Sequence, residues 1–398
     1  MASVIFFSKV HDQDIPGKNL LVPLALLALL TIIGVSFAIH ALFVGHDHVF
    51  GTTREVPWGI LITPYVFFAC LSTGICIISS LGQVFGFTTL APLINRTVFL
   101  AIIAMAAGLM SIGLEIENPW NMAIFGFLTP NPLSNIWWKS SIYTLFLLLM
   151  AFNFMFLLMG KNRLARGLAL GALVAITCGN LNMNSDMALL GSRGFWAENY
   201  MPLFFLNVST LSACCVIILF TWLSSWLQNR RLDTESRNAI IPLFKLTVVL
   251  LIGAFCFVAM KALGGFSNKF TDNPEAMQLL VRGDFAINFW LGEIGLTIVL
   301  PLVLLALSGG GRKLGLLSLA SFSTLVGIAI TFYDLIVVGQ LIPHYHQYNL
   351  YGYPSLYSYS PSLHEYMMLA GSVSFFLAAY LAGELIFNSL TLERMRGK

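Results

Sequence analysis

The chain has 398 residues, of which 58% are hydrophobic and 10% charged, with a net charge of +3. That composition leaves no sizeable water-soluble core and excludes an ordinary soluble enzyme. The small basic excess is no nucleic-acid footprint, because it follows the side-to-side charge bias of a membrane protein.

A stretch of about 20 apolar residues crosses the hydrocarbon core of a bilayer. Ten such spans are predicted, at roughly 19–44, 58–86, 97–118, 137–160, 167–190, 201–228, 240–264, 283–307, 315–342 and 363–390. They are numbered spans 1 to 10, and the expected fold class is an all-α polytopic membrane protein in the lipid bilayer. The connections on one side carry fifteen Lys and Arg, those on the other side six. Positive residues favour the cytoplasm, so both termini are predicted to be cytoplasmic. Residues 1–18 hold Asp12, Asp14 and Pro16 but no apolar core before a small-residue cleavage site, so span 1 reads as a retained anchor. No connection is long enough for a separate domain, which leaves any soluble chemistry to a partner.

Cys70, Cys76, Cys178, Cys214, Cys215 and Cys256 all fall inside spans without a Cys-x-x-Cys pair, and are expected to be small buried apolar residues. A membrane b-type haem needs axial ligands at mid-depth. Here His40, His46, His48, His344, His346 and His364 cluster at the outer ends of spans and in loops, and His11 is in the tail. Neither haem nor an iron–sulfur cluster is expected in this chain. The His-x-His pairs at 46/48 and 344/346 fit either a metal site or a polar interfacial loop, and no metal ligand is assigned.

The carboxylates carry the functional signal, since an acid inside a span is costly and faces the bundle interior. Span 3 ends in Glu115-Ile-Glu117-Asn118-Pro119-Trp120, toward the outer surface. At the same level span 4 opens with Trp137, Trp138 and Lys139, and span 5 closes with Asn180, Asn182, Asn184, Ser185 and Asp186. Trp58 opens span 2, with Tyr65 about two turns deeper. A second set comprises Lys261 at the end of span 7, Asp284 and Glu293 in span 8, Asp334 in span 9, and His364 and Glu365 opening span 10. Helix-end charges and interhelical pairs, such as Glu115 or Glu117 with Lys139, explain any one of them, and aromatic belts explain the tryptophans. The whole pattern suits a quinone ring, which needs polar partners for two oxygens and a proton route to water.

At these residues the sequence resembles the NrfD/polysulfide-reductase membrane-subunit family. It looks most like the ten-helix branch that includes the membrane subunits of hydrogenase-2-type and sulfite-reduction-associated Dsr complexes. Pro57-Trp58-Gly59 with Tyr65 and Gly74 resembles the family's first core helix. Glu115 through Pro119 occupies the place of its acid-Leu-Gly-Arg-Pro motif, followed by Trp120-Asn121, Pro130-Asn131-Pro132-x-Ser134 and Pro202-Leu203. Phe289-Trp290-x-x-Glu293 with Pro301, Gly339-Gln340, and Tyr359-x-Pro361-Ser362-x-x-Glu365 complete the pattern over roughly 56–370. Glu117-Asn118 replaces the motif's Gly-Arg, a cation that Lys139 can restore. Asn182 stands where some relatives place a histidine, and Tyr333-Asp334 where relatives often carry Arg with Asn.

The resemblance implies two four-helix bundles, spans 2–5 and 6–9, with spans 1 and 10 peripheral. The expected divisions are 1–57, 58–200 for the first bundle with the quinone site, 201–342 for the second, and 343–398. It also implies a bacterial or archaeal cytoplasmic membrane, menaquinone or ubiquinone as bound substrate, and an iron–sulfur (ferredoxin-like) subunit docked on the outer face. Further redox partners would be of the reductase, hydrogenase or cytochrome c kind. Glu115, Glu117, Asp186 and Lys139 are the expected proton and charge handlers. Trp58, Tyr65, Trp137, Asn182 and Ser185 would bind the ring, and Asp284, Glu293, Asp334 and Glu365 form a candidate proton path. A secondary transporter using the same acids is the alternative; Pro64 and Pro301 interrupt spans 2 and 8 without forming the paired breaks such folds show. A purely structural anchor is the third.

Overall fold

The computed structural model describes residues 17–189, 195, 196, 198–227, 232–267, 274–343, 351, 352 and 354–396. Ten helices among them are long and apolar enough to cross a membrane. Spans 1 to 5 are Gly17–Val44, Ile62–Gln83, Ile94–Glu115, Asn135–Leu158 and Asn162–Leu189. Spans 6 to 10 are Met201–Leu227, Thr234–Ser267, Asn288–Leu307, Leu314–Leu341 and Leu363–Arg396. Four connections carry short helices, His46–Val49, Thr88–Leu93, Pro119–Leu128 and Pro274–Arg282.

Several ends differ from expectation where the chemistry lies. Span 2 begins at Ile62, so Trp58 precedes it, and Pro64 falls in its first turn. A missing N–H there costs no helix bond, and Pro64 does not interrupt the span. Span 3 stops at Glu115, which leaves Glu117 exposed in the following connection. Span 8 begins at Asn288, so Asp284 stands exposed in the preceding turn and not inside the helix. Span 7 begins earlier than predicted because the Asp233 carboxylate accepts from the Ser236 N–H (3.1 Å) and caps it.

Spans 2, 3, 4 and 5 pack as one ring of neighbours, and spans 6, 7, 8 and 9 as a second. The rings meet where span 2 lies along span 6, while spans 1 and 10 pair with each other and lean on span 3 through span 10. Without a hydrophobic driving force between helices in lipid, close packing of small residues holds such contacts. A Cβ on Gly34 would come within 2.7 Å of Gly371 Cα, and one on Gly74 within 1.8 Å of the Ser209 carbonyl oxygen. These crossings of span 1 with 10 and of span 2 with 6 therefore need glycine. Large apolar side chains such as Leu26, Phe152, Val249, Phe255 and Val303 point outward, as lipid-facing positions require. Cys178 and Cys256 are also exposed, correcting the expectation that all six cysteines are buried.

Hydroxyls inside the spans bond their own helix, as Thr73 does to the Ala69 carbonyl (2.8 Å) and Thr247 to that of Leu243 (2.8 Å). Ser72 instead crosses to the Ala101 carbonyl (2.8 Å), tying span 2 to span 3. Arg96, expected among the loop cations, is buried and lies 3.7 Å from the Glu384 carboxylate. Its Nη2 donates to Ser224 Oγ (3.1 Å), and the Tyr380 hydroxyl lies between Glu384 and the Phe220 carbonyl. This clamp joins spans 3, 6 and 10. The first half of span 8, Asn288–Val299, is π-helical. Span 9 nests against that wider turn, with Gly327 so close that a Cβ would meet Thr297 Oγ1 at 2.1 Å. Such widened turns are rare and frequent at functional sites.

Candidate functional site

The segment 50–61 runs across the Glu115 end of the molecule and is held by side chains of spans 9 and 10 and of the segments that precede spans 6 and 10. Gln340 of span 9 accepts from the Trp58 N–H and donates to its carbonyl, both at 2.9 Å. The Trp58 ring stacks on Trp196 at 5.2 Å between centroids, and Trp196 Nε1 donates to the Leu335 carbonyl (2.7 Å). The Ile60 N–H donates to the Tyr359 hydroxyl (2.6 Å), which donates to Glu365 Oε1 (2.6 Å). Glu365 Oε2 accepts from Gly51 N and Ser362 N, each at 2.8 Å.

Ser362 and Glu365 explain part of the Tyr-x-Pro-Ser-x-x-Glu motif by local structure. Ser362 precedes span 10, its Oγ accepts from the Glu365 N–H (3.3 Å), and Glu365 returns the bond to the Ser362 N–H. That reciprocal pair is a capping box. Three donors, from Gly51, Ser362 and Tyr359, converge on the buried Glu365 carboxyl group. Burial and the Glu365 carboxylate push the Tyr359 phenol well above its ordinary range, so it stays protonated and donating.

Glu115 closes span 3 on the other side of Gly59. The Gly59 backbone N–H is directed to its carboxyl group, and the Glu365 carboxylate acts on it from beyond. Gly59 has no room for a side chain there, since a Cβ would lie 2.5 Å from Glu365 Oε1 and 2.7 Å from the Tyr359 hydroxyl. Glu115 Oε2 is buried and has no hydrogen-bond partner among the described residues. The two acids that the sequence assigned to separate sets thus share one glycine. His46, on the short helix His46–Val49, lies against the Glu115 backbone, and its Nε2 is buried without a partner among the described residues. Burial holds its imidazole below the usual range, against the pull of Glu117 and Asp47.

Deeper in the first bundle, the buried phenols of Tyr65 and Tyr143 act on each other, and Tyr143 donates to the Gly179 carbonyl (3.4 Å). Next to Gly179, Asn180 donates to Ser209 Oγ (3.2 Å), carrying the polar contacts across to span 6. Asn182 Nδ2 bonds Asn135 Oδ1 of span 4, while Asn182 Oδ1 is buried without a partner among the described residues. Lys139 is half-buried in the second turn of span 4. Trp137 Nε1 is taken by the Gly126 carbonyl (2.8 Å), and Ser185 Oγ bonds the Leu181 carbonyl of its own helix (2.9 Å). Asp186 lies on span 5, but its side chain falls outside the described residues, as do His344 and His346. Sequence reasoning missed Tyr143 and Asn135. Tyr143 lies four residues after Lys139, on the same helix face, which was a usable signal.

The second bundle brings together residues from three spans. The Lys261 ammonium forms an ion pair with Glu293 Oε2 and sits 5.4 Å from the centre of the Phe289 ring. Asn288, also missed, donates to Asp334 Oδ1 (2.8 Å), and the Glu293 and Asp334 carboxyl groups lie against each other. Both acids are buried, and Glu293 Oε1 and Asp334 Oδ2 have no donor among the described residues. Lys261 stands inside its helix, not at the end. Asp284, in its exposed turn, does not join this cluster among the described residues.

Known proteins align with this arrangement along most of the chain. A selenate reductase subunit of Mesobacillus selenatarsenatis is 24% identical over 368 residues, covering 81% of this chain and 83% of its own. The Hdr-like menaquinol oxidoreductase integral membrane subunit of Archaeoglobus fulgidus is 22% identical over 351 residues, covering 85% and 86%. The model of the family "Polysulphide reductase, NrfD" matches residues 48–344, from the His46 helix through the end of span 9. The chain is an integral, multi-pass membrane protein that belongs to the NrfD polysulphide reductase family.

Proposed function

We propose that this chain is the quinone-reactive membrane subunit of a respiratory redox complex. It exchanges two electrons between the membrane quinone pool and an iron–sulfur subunit docked on the Glu115 face. Family membership and the menaquinol named for the Archaeoglobus relative support this. The observation that carries it is a carboxyl oxygen of Glu115 that has no partner among the described residues and is buried at the very end of a membrane span. An orphaned buried polar atom is costly, and a ligand with matching polar groups relieves it.

When bound, a quinone supplies a couple that takes up two electrons and two protons. Glu115 would pass a proton at Oε2, and Glu117, exposed beside it, would connect that proton to water. Lys139 would offer its ammonium to a ring oxygen, taking the place of the arginine missing from the acidic motif. Asn182, through its unpartnered Oδ1, and the Tyr65–Tyr143 pair would bind further polar atoms, with Trp58 and Trp137 as flanking rings. Ser185 and Asp186 complete the set on span 5. Glu365 acts as the anion that fixes segment 50–61 against Glu115. Glu293 and Asp334, with Asp284 at the surface, would form a second route for protons.

The test is purification of the native complex in mild detergent, with assay of bound quinone, EPR spectra and identification of companion chains. Quinone near one per complex, together with an iron–sulfur companion, supports the proposal. A chain that purifies alone without quinone and moves ions or solutes in liposomes refutes it in favour of transport. Within the complex, Glu115→Gln is expected to cut quinol turnover at least tenfold while leaving assembly intact, about what loss of a general acid–base group costs at minimum. Unchanged turnover sinks the assignment of Glu115.

A further inference from the structure

The cluster in the second bundle has an unusual charge balance. Glu293 and Asp334 are buried against each other, and Lys261 is the one cation among the described residues that acts on Asp334. One carboxylate oxygen of each acid is already engaged, Glu293 Oε2 by Lys261 and Asp334 Oδ1 by Asn288. The two oxygens left without a donor, Glu293 Oε1 and Asp334 Oδ2, belong to the two groups that face each other. Among the described residues, the other titratable groups nearby are phenols and one outlying acid. Tyr333 flanks Asp334 on span 9, Tyr200 approaches Glu293 from the segment before span 6, and Glu198 lies next to Tyr200. None of these brings a positive charge.

We propose that Glu293 and Asp334 form a single-proton site, one hydrogen shared between the two free oxygens while Lys261 balances the remaining negative charge. Two carboxyl groups in contact cannot both ionise in a medium of low dielectric, and one proton converts two orphaned acceptors into a hydrogen-bonded pair. The widened π-helical turn supplies the setting, because it carries Asn288 and Glu293 in the same stretch of span 8. The site is a buried acid whose occupancy changes by one when the proton leaves, giving a carboxylate pair and a free proton. This deepens the proposed proton route and rests on that part of the functional proposal, but its test needs no quinone.

The experiment is infrared difference spectroscopy of the whole complex in H2O and D2O. The wild type is expected to show a protonated-carboxyl carbonyl band, shifted by deuterium, that is lost in Asp334→Asn. Asn keeps the bond from Asn288 and resembles the neutral acid in shape. Glu293→Gln is expected to lose the band too, since Asp334 then ionises as the partner of Lys261. Lys261→Met, which removes the cation, is expected to gain a second carbonyl component. A wild-type spectrum unaltered by Asp334→Asn overturns the proposal, and so does a band that bleaches on titration with sodium, which would mark the pair as a site for a metal cation. Quinone content measured on the same samples separates failure of this inference from failure of the quinone proposal.

Discussion

Removing one hydroxyl at Tyr359 should release the segment that covers Glu115. In Tyr359→Phe the ring stays, but the Ile60 N–H loses its acceptor and Glu365 Oε1 loses the phenol as donor, bonds of 2.6 Å each. A hydrogen bond to a charged group contributes about 1.5–3 kcal/mol, and a buried donor left alone costs about 1–3 kcal/mol. Ile60 is only half-buried, so water recovers part of that second cost. Glu365 also keeps Gly51 and Ser362. A net loss of about 2–4 kcal/mol follows, concentrated in the local opening of residues 50–61. The assay is unfolding in mixed detergent micelles, with hydrogen exchange followed on peptides covering that segment. Faster exchange at Gly51 and Ile60 with the interior of span 10 unchanged is the expected pattern. A loss below about 0.5 kcal/mol, the range of an ordinary surface substitution, with unchanged exchange would refute the role given to Tyr359.

Other positions can be tested with less elaboration. Gly59→Ala forces a Cβ to within 2.5 Å of Glu365 Oε1, and overpacking of this kind costs about 1–3 kcal/mol; quinol turnover should fall with it, and a variant as active and stable as the parent contradicts the geometry. Gly371→Leu should separate spans 1 and 10, whose backbones touch at Gly34, and expose that pair to protease while the two four-helix rings keep their cross-links. Burial holds the His46 pKa in the folded protein below the ordinary histidine value of 6.5, so the unfolded chain binds the extra proton. Its contribution to stability is full above that value and declines as the pH falls below it. Exchange in residues 45–50 should therefore rise on acidification, and His46→Gln should flatten that part of the profile.

The sequence by itself determined the number of membrane spans, because hydropathy is a one-dimensional property and ten apolar stretches admit little else. It also put Glu115 and Glu365 at the ends of spans 3 and 10, where the apolar runs stop. Rotation about each helix axis was not written there. In a soluble protein an apolar stripe tells which face is inside, but lipid and bundle interior are both apolar, and the spans carry hydrophobic residues all round. The tertiary structure therefore decided that Glu115 meets Glu365 across Gly59 instead of belonging to a separate set. It likewise paired Lys261 with Glu293 and Asn288 with Asp334, residues 32 and 46 positions apart. It showed that Arg96 belongs to a buried clamp and not to a loop. Which segments cross the bilayer could be read from the chain, but the depth of Arg96 and Asp284 and the partner each charge meets depended on where the helices end and how they turn toward one another.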